Sequence, residues 1–264
     1  MTGAYVVSAQ GGEKLCGWNA PGRKRWRGIF VTGTDTGVGK TVITAAIAAA
    51  LRSEGRNVGV WKPVQSGALL GKGITDAERL LRGTGIADRP EQVAPFTFAA
   101  PLAPALAAKQ AGVTMTTAGL LAAGEPLAEK YDALLIEGAG GAAVPLTSDT
   151  LVADFIAELG VPALIVARCG LGTVNHTLLT AALLRQRGIP VAGIVMNEVD
   201  LATSRDDPST AVNAELIERY GGLRVLGRFP WISGEATMEK LVRAVKRHID
   251  ISPVRQMLIN ARSQ

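Results

Sequence analysis

Two cysteines, Cys16 and Cys169, and two histidines, His176 and His248, are all that the 264 residues contain of either kind. That supply excludes a disulfide framework and, at these spacings, a zinc site of cysteine and histidine; it fits a reducing compartment. Long apolar runs are missing as well. No stretch approaches the roughly 18 to 20 residues of a membrane helix, and Pro101 and Pro104 interrupt the most apolar loop. The N-terminal region lacks the apolar core of a secretory signal. No internal repeat and no linker between domains stands out. A cytoplasmic protein with no membrane partner is expected.

An even balance of charge is also lacking, because the chain carries a formal +5. The surplus is local. Lys14, Arg23, Lys24, Arg25 and Arg27 against Glu13 give residues 1–27 a charge of +4 and leave +1 for all the rest. The basic balance therefore describes an appendage, and no nucleic-acid partner is expected of the folded body. Residues 1–27 read as a basic, disordered extension ahead of one domain over 28–264.

What is present is apolar material in alternating short and long segments. Hydrophobic residues make up 47% of the chain and charged residues 19%, enough for a sizeable core. From Gly28 onward the runs "GIFVT", "NVGVW", "DALLIEG", "PALIVAR", "VAGIVMN" and "LRVLGRFP" read as strands. Between them "TVITAAIAAALRSEG", "DAERLLRG", "LVADFIAELG", "HTLLTAALLRQRG" and "AVNAELIERYGG" read as helices, and "APFTFAAPLAPALAA" as a proline-rich loop. Strands apolar on both faces and separated by helices imply an α/β fold with a mostly parallel, doubly wound sheet flanked by helices. In such sheets ligands bind at the carboxyl ends of the strands.

The residues just past those strand ends carry the chemistry. Between the first strand and the first helix stands "GTDTGVGKT", Gly33 to Thr41. Gly39, Lys40 and Thr41 match the end of a P-loop, whose backbone N–H groups cradle phosphate while its lysine reaches the outer phosphates and its hydroxyl serves Mg²⁺. Thr34 stands where the generic pattern has its first glycine, and Gly33 is one place early. In "LLIEGAGG", Glu137 ends a strand ahead of small residues that leave room for a nucleotide; its carboxylate suits a Mg²⁺ held at Thr41, although alone it reads better as a surface acid. Asp76 opens a helix and reads by itself as an N-cap. In "WKPVQSG", Lys62 follows a strand, where a second ammonium would offset charge on a transferring phosphoryl group, although alone it reads better as an exposed lysine. His176 beside Asn175 starts a helix and reads as structural.

Together with "FTFAAPLAP", "GLGTVNHTLLT", "VMNEV" and "RFPW", these motifs resemble the dethiobiotin synthetase family over Gly28 to Ile232, in the family's order and at similar spacing. The family's loop reads G-T-x-T-x-V-G-K-T, so the misfit with the generic pattern supports the resemblance. The resemblance implies a P-loop NTPase fold of the MinD-like branch and an ATP- and Mg²⁺-dependent ligase. Its substrates would be 7,8-diaminononanoate and CO₂, joined through a carbamate and a carbamic-phosphoric anhydride. It implies Lys62, Lys40 and Thr36 as catalytic residues. Gly37, Val38, Gly39, Lys40, Thr41 and Val42 would wrap the phosphates, with Gly138, Ala139 and Gly140 bordering the nucleotide. Thr41, Asp76 and Glu137 would bind the metal. Asn197, Glu198, Pro230, Trp231 and Ile232 would frame the adenine. Ser66 would meet the diamine or carbamate, and Gly172, Thr173 and Asn175 would meet the far end of the substrate across a homodimer interface.

Two departures stand out: Gly37 occupies a place where some members carry an acid, and no tyrosine lies near 205 to 215 for the substrate carboxylate. A MinD- or ParA-like ATPase switch is the alternative reading. It would need a second lysine early in the loop, where Asp35 stands, and a basic amphipathic C-terminal membrane helix, which is not evident in the sequence.

Overall fold

The computed structural model describes residues 26–199 and 207–260. Six strands form one all-parallel sheet: β1 (Gly28–Gly33), β2 (Val58–Trp61), β5 (Ala133–Gly141), β6 (Ala163–Arg168), β7 (Val191–Asn197) and β8 (Val225–Phe229), in the order β2-β5-β1-β6-β7-β8. A parallel sheet needs both faces covered, and alternate residues of each strand serve the two sides. Ile29 and Val31 face one apolar cluster with α1 (Lys40–Ser53), α2 (Asp76–Thr84), α9 (Met238–His248) and α10 (Ser252–Asn260). Phe30 faces the other with α5 (Thr117–Lys130), α6 (Val152–Leu159), α7 (Thr173–Gln186) and α8 (Asn213–Gly221).

Helix α1 is buried along most of its length, which explains its alanines. Only small side chains let three neighbours close on it; Gly83 of α2 approaches so tightly that a Cβ there would lie 3.0 Å from the Ala45 Cβ. The helix stops at Ser53, and Gly55 in the left-handed region (φ 80°) donates its N–H to the Arg52 carbonyl.

Three sequence expectations change. The proline-rich stretch is not one loop: Phe96–Phe98 forms β4, which pairs in parallel with β3 (Val64–Ser66) as a small second sheet, and Pro104–Gln110 forms α4. Pro104 sits in the first turn of α4, where a missing N–H costs nothing. A short helix α3 (Pro90–Val93) precedes β4. Second, α9 is a helix that the sequence reading did not include; it is basic and ends in Lys246, Arg247 and His248. Its apolar side, Leu241, Ala244 and Val245, is buried in the core, so that face is already occupied. Third, Trp26, assigned to the extension, is buried and stacks on Trp61 with ring centroids 5.1 Å apart. Trp26 thus packs with the body and not with the extension to which it was assigned. No helix among the described residues is long and apolar enough to cross a membrane.

Candidate active site

The register of the sheet brings distant residues together. Trp61 pairs with Ile136 across β2 and β5, so the next residue of each segment, Lys62 and Glu137, lie side by side. The Lys62 ammonium is 2.6 Å from Glu137 Oε1 and 2.8 Å from Asp76 Oδ2, and it donates to the Gly138 carbonyl at 3.1 Å. Thr41, the second residue of α1, enters the same group: its Oγ1 lies 2.9 Å from Glu137 Oε1 and 3.1 Å from Asp76 Oδ1. Its single proton serves one carboxylate at a time.

Asp76 reaches this group because it is not the cap of its helix. Thr75 is the N-cap, and Asp76 is the first helical residue. The reason is local: Thr75 with Glu78 three residues on makes a capping box, in which Thr75 Oγ1 accepts from the Glu78 N–H and the Glu78 carboxylate accepts from the Thr75 N–H at 2.9 Å. The same carboxylate also accepts from the N–H groups of Gly71 and Gly73, at 2.8 and 2.9 Å, fixing the approach to α2. Gln65, buried on β3, holds α2 from below by accepting from the Ala77 N–H.

The P-loop takes its shape from glycine. Gly37 and Gly39 have φ of 75° and 91°, and a Cβ on Gly39 would lie 2.0 Å from Asn197 Nδ2. Asn197, at the end of β7, is buried and donates Nδ2 to the Val38 carbonyl at 3.0 Å. It braces the loop from beneath with one of its two amide N–H groups. Lys40 donates Nζ to the Asp35 carbonyl at 2.9 Å. Burial, reinforced by the neighbouring Lys62, lowers the Lys40 ammonium to about 8. For Lys62 burial acts in the same direction, but the Glu137 and Asp76 carboxylates outweigh it and hold the ammonium above its ordinary value. Burial opposes ionisation of Asp76, yet the Lys62 charge and the bonds from Lys62 and Thr41 bring its carboxyl below the usual range. Glu137 is pushed up by burial against the pull of Lys62. Of the two acids, Asp76 is the stronger.

These groups line a cleft of about 860 Å³. Thr36, Gly37, Gly39, Lys40, Thr41, Val42, Lys62, Ser66, Asp76, Glu137, Ala139 and Gly140 all border it. Val38 is buried under the loop, and Gly138 contributes its carbonyl to Lys62. Ser66 donates to the Leu102 carbonyl at 2.8 Å, at the end of the cleft walled by Pro101–Pro104 and Val144. The opposite end is bounded by Gly83, Gly234, Glu235, Ala236 and Leu241.

Other expected residues lie outside this lining. Gly172, Thr173 and Asn175 sit past the end of β6; Thr173 spends its hydroxyl on the Arg168 carbonyl at 2.6 Å and its N–H on the Gly170 carbonyl at 3.2 Å. An open pair of N–H groups at Gly172 and Thr173 is therefore not present. Asn175 is exposed. His176 places Nδ1 3.2 Å from Arg168 Nη2, a local contact. Glu198 pairs with Arg228 at 2.6 Å and accepts from the Trp231 N–H at 3.4 Å, tying down the segment of Pro230, Trp231 and Ile232. Sequence reasoning missed Gln65, Arg79, Arg82 and the 234–236 segment, although Arg79 follows Asp76 at the spacing that puts two side chains on one helical face.

The donor set suits magnesium. Thr41 Oγ1 and two carboxylates are hard oxygen donors, and Glu137 Oε2 is buried with no hydrogen-bond partner among the described residues. No cluster of three or more His, Cys, Asp or Glu that could hold an ion occurs among those residues, so the metal would share phosphate oxygens instead of sitting in an all-protein cage.

A strand, a glycine loop and a helix that presents a lysine and a threonine to a second lysine and two acids, all at the carboxyl edge of a parallel sheet, define a P-loop nucleotide-dependent enzyme. The family described as an AAA domain matches residues 27–237. An ATP-dependent dethiobiotin synthetase of Anaeromyxobacter dehalogenans (strain 2CP-C) is 48% identical over 205 residues, covering 78% of this chain and 90% of that one. One of Bacillus cereus (strain B4264) is 41% identical over 236 residues, covering 88% and 95%. The chain belongs to the ATP-dependent dethiobiotin synthetase family. Among solved structures, a ParA family ATPase from Chlorobium tepidum TLS is 17% identical with a TM-score of 0.48, covering 90% of this chain and all of that one.

Proposed function

We propose that the chain converts 7,8-diaminononanoate, CO₂ and ATP into dethiobiotin, ADP and phosphate, the ring-closing step of biotin synthesis. The observation that carries this reading is Lys62, buried where two strands end and bonded to both carboxylates that flank the P-loop threonine. An amine of the substrate adds to CO₂ and loses a proton, giving a carbamate. The carbamate oxygen attacks the γ-phosphorus as the bond to ADP breaks, forming the mixed anhydride. The second amine then attacks the carbamoyl carbon, phosphate departs, and a cyclic urea remains.

The protein's part is charge and position. A carbamate and a triphosphate repel each other, and Lys40, Lys62 and the N–H groups at the start of α1 lower that repulsion. Thr36 borders the same phosphates. Thr41, Asp76 and Glu137 hold Mg²⁺, which when bound neutralises phosphate charge. The mouth at Ser66 and Leu102 takes the diamine. Adenine lies toward Gly234–Ala236, with the segment of Pro230 to Ile232 and Glu198 behind it and Asn197 acting through the loop.

The protein works as a homodimer in which Gly172, Thr173 and Asn175 reach the partner's substrate. Support comes from apolar side chains left outside on adjoining segments: Leu171 (79% exposed), Leu179 on α7 and Tyr220 on α8. Helices α7 and α8 are joined there by Arg185, which donates to the Gly221 carbonyl at 2.7 Å. A cytoplasmic location and the role of 1–27 as an extension belong to the same reading.

The test is phosphate release with diaminononanoate, bicarbonate or ATP omitted in turn. Release should require all three. Equal turnover without the diamine would instead indicate an ATPase switch.

A further inference from the structure

Four cations line the cleft, and three of them are engaged. Lys40 is bonded to the Asp35 carbonyl, and Lys62 to Asp76 and Glu137. Arg82 donates to the Gly73 carbonyl at 3.0 Å, and its Nε lies 3.6 Å from Glu235 Oε1. Arg79 differs. Among the described residues its side chain makes no ion pair and no hydrogen bond, and its field is felt at Asp76. An anion entering the cleft can therefore be met by Arg79 without loss of an existing contact.

Its position along α2 says which part of an anion that is. Asp76, at the start of the helix, stands beside Thr41 and Lys62, where the outer phosphate is worked on. Arg82 and Gly83, almost two turns on, stand beside Glu235, Ala45 and Leu241 at the other end of the cleft. Arg79 lies between them, three residues from each of Asp76 and Arg82 and on their face of the helix. Ser66 and Leu102, which wall the diamine's end, also line the cleft; Gln65, next to Ser66, accepts from the Ala77 N–H, so that segment meets α2 at its Asp76 end. We propose that Arg79 binds the non-transferred phosphates of the nucleotide, as a planar guanidinium matched to two phosphate oxygens.

This proposal rests on the nucleotide site described above but not on the identity of the second substrate. Its test therefore uses ADP binding, which requires no turnover. Arg79→Ala and Arg79→Gln should each weaken ADP about tenfold or more, since a charge-assisted bond to phosphate is lost, with an unchanged unfolding temperature because the side chain is exposed. Arg79→Lys should recover part of that loss. The salt dependence of ADP affinity should become shallower in the neutral variants. In the ATP-dependent reaction, the KM for ATP should carry the larger share of the defect. ADP affinity within twofold of wild type in both neutral variants would overturn the proposal. So would a defect confined to the KM for diaminononanoate, which would give Arg79 to that substrate's carboxylate. If ADP binding falls as expected but no turnover of the diamine is seen in the wild type, the ligase reading fails and the assignment of Arg79 stands.

Discussion

At the residue scale, Lys62, proposed as catalytic, also carries a structural charge. It is 2% exposed and its partner Glu137 is 1% exposed, so each is the other's counter-ion away from water. Breaking a buried pair by removing one member costs about 3–5 kcal/mol, because the survivor is left uncompensated. Lys62→Ala should therefore lower turnover more than tenfold and also lower the unfolding temperature. The double variant Lys62→Ala with Glu137→Gln removes the stranded carboxylate and should recover much of the stability with none of the activity. Turnover near wild type in a folded Lys62→Ala protein, read from phosphate release beside a thermal melt, would remove Lys62 from the reacting centre.

Elements do what single residues cannot: they aim side chains. Helix α2 holds Asp76 toward Thr41 only because its first turn is tied to the 71–75 loop by Glu78. Burial opposes ionisation of that carboxylate, but the hydrogen bonds from Thr75, Gly73 and Gly71 together outweigh it and lower it from 4.5 to about 2. A carboxyl depressed on folding contributes its full stability above 4.5, and that contribution is lost as pH falls from 4.5 toward 2. The melting temperature of Glu78→Gln should accordingly lie below wild type at pH 6, and the gap should narrow steadily on acidification through that window. Magnesium-dependent nucleotide affinity at neutral pH should fall with it, because Asp76 loses its support. A gap that stays constant from pH 6 to pH 3 would show that the loop bonds are not linked to stability.

For the whole molecule, the question is whether one chain makes a complete site. The cleft gathers the groups proposed to act on ATP, whereas Gly172, Thr173 and Asn175 lie past β6, outside its lining, with Leu171 exposed beside them. A site completed by a second copy follows from the proposed dimer. Chains carrying Lys62→Ala and chains carrying Asn175→Ala, each weak alone, should regain activity when mixed, because one site of each heterodimer then has both intact residues. The glutamine substitution at Glu137 belongs on the Lys62→Ala chain only if that chain melts too low to assemble. Heterodimers verified by mass that remain inactive, or a fully active monomer, would place the whole site within one chain.

The sequence alone determined the sheet and the phosphate loop, since both are written in contiguous residues. Strands apolar on two faces and the run from Gly33 to Thr41 need only their neighbours to be read. Lys62, Asp76 and Glu137 were each ambiguous on their own, and the resemblance to a family, not their spacing, singled them out. Only the tertiary structure placed both Lys62 and Thr41 within 2.6 to 3.1 Å of the two acids, because contact between β2 and β5 depends on sheet order and register, which no local pattern encodes. The same is true of Trp26. In the sequence it belongs to a basic tail, and in the fold it is buried because Trp61 offers it a ring to stack on. Thr75 took the cap from Asp76 through a contact three residues long, which the sequence did contain. Arg79 and the 234–236 segment became visible only when α2, α1 and α9 closed on one another, since a cleft is a property of surfaces that meet and not of the chain that supplies them.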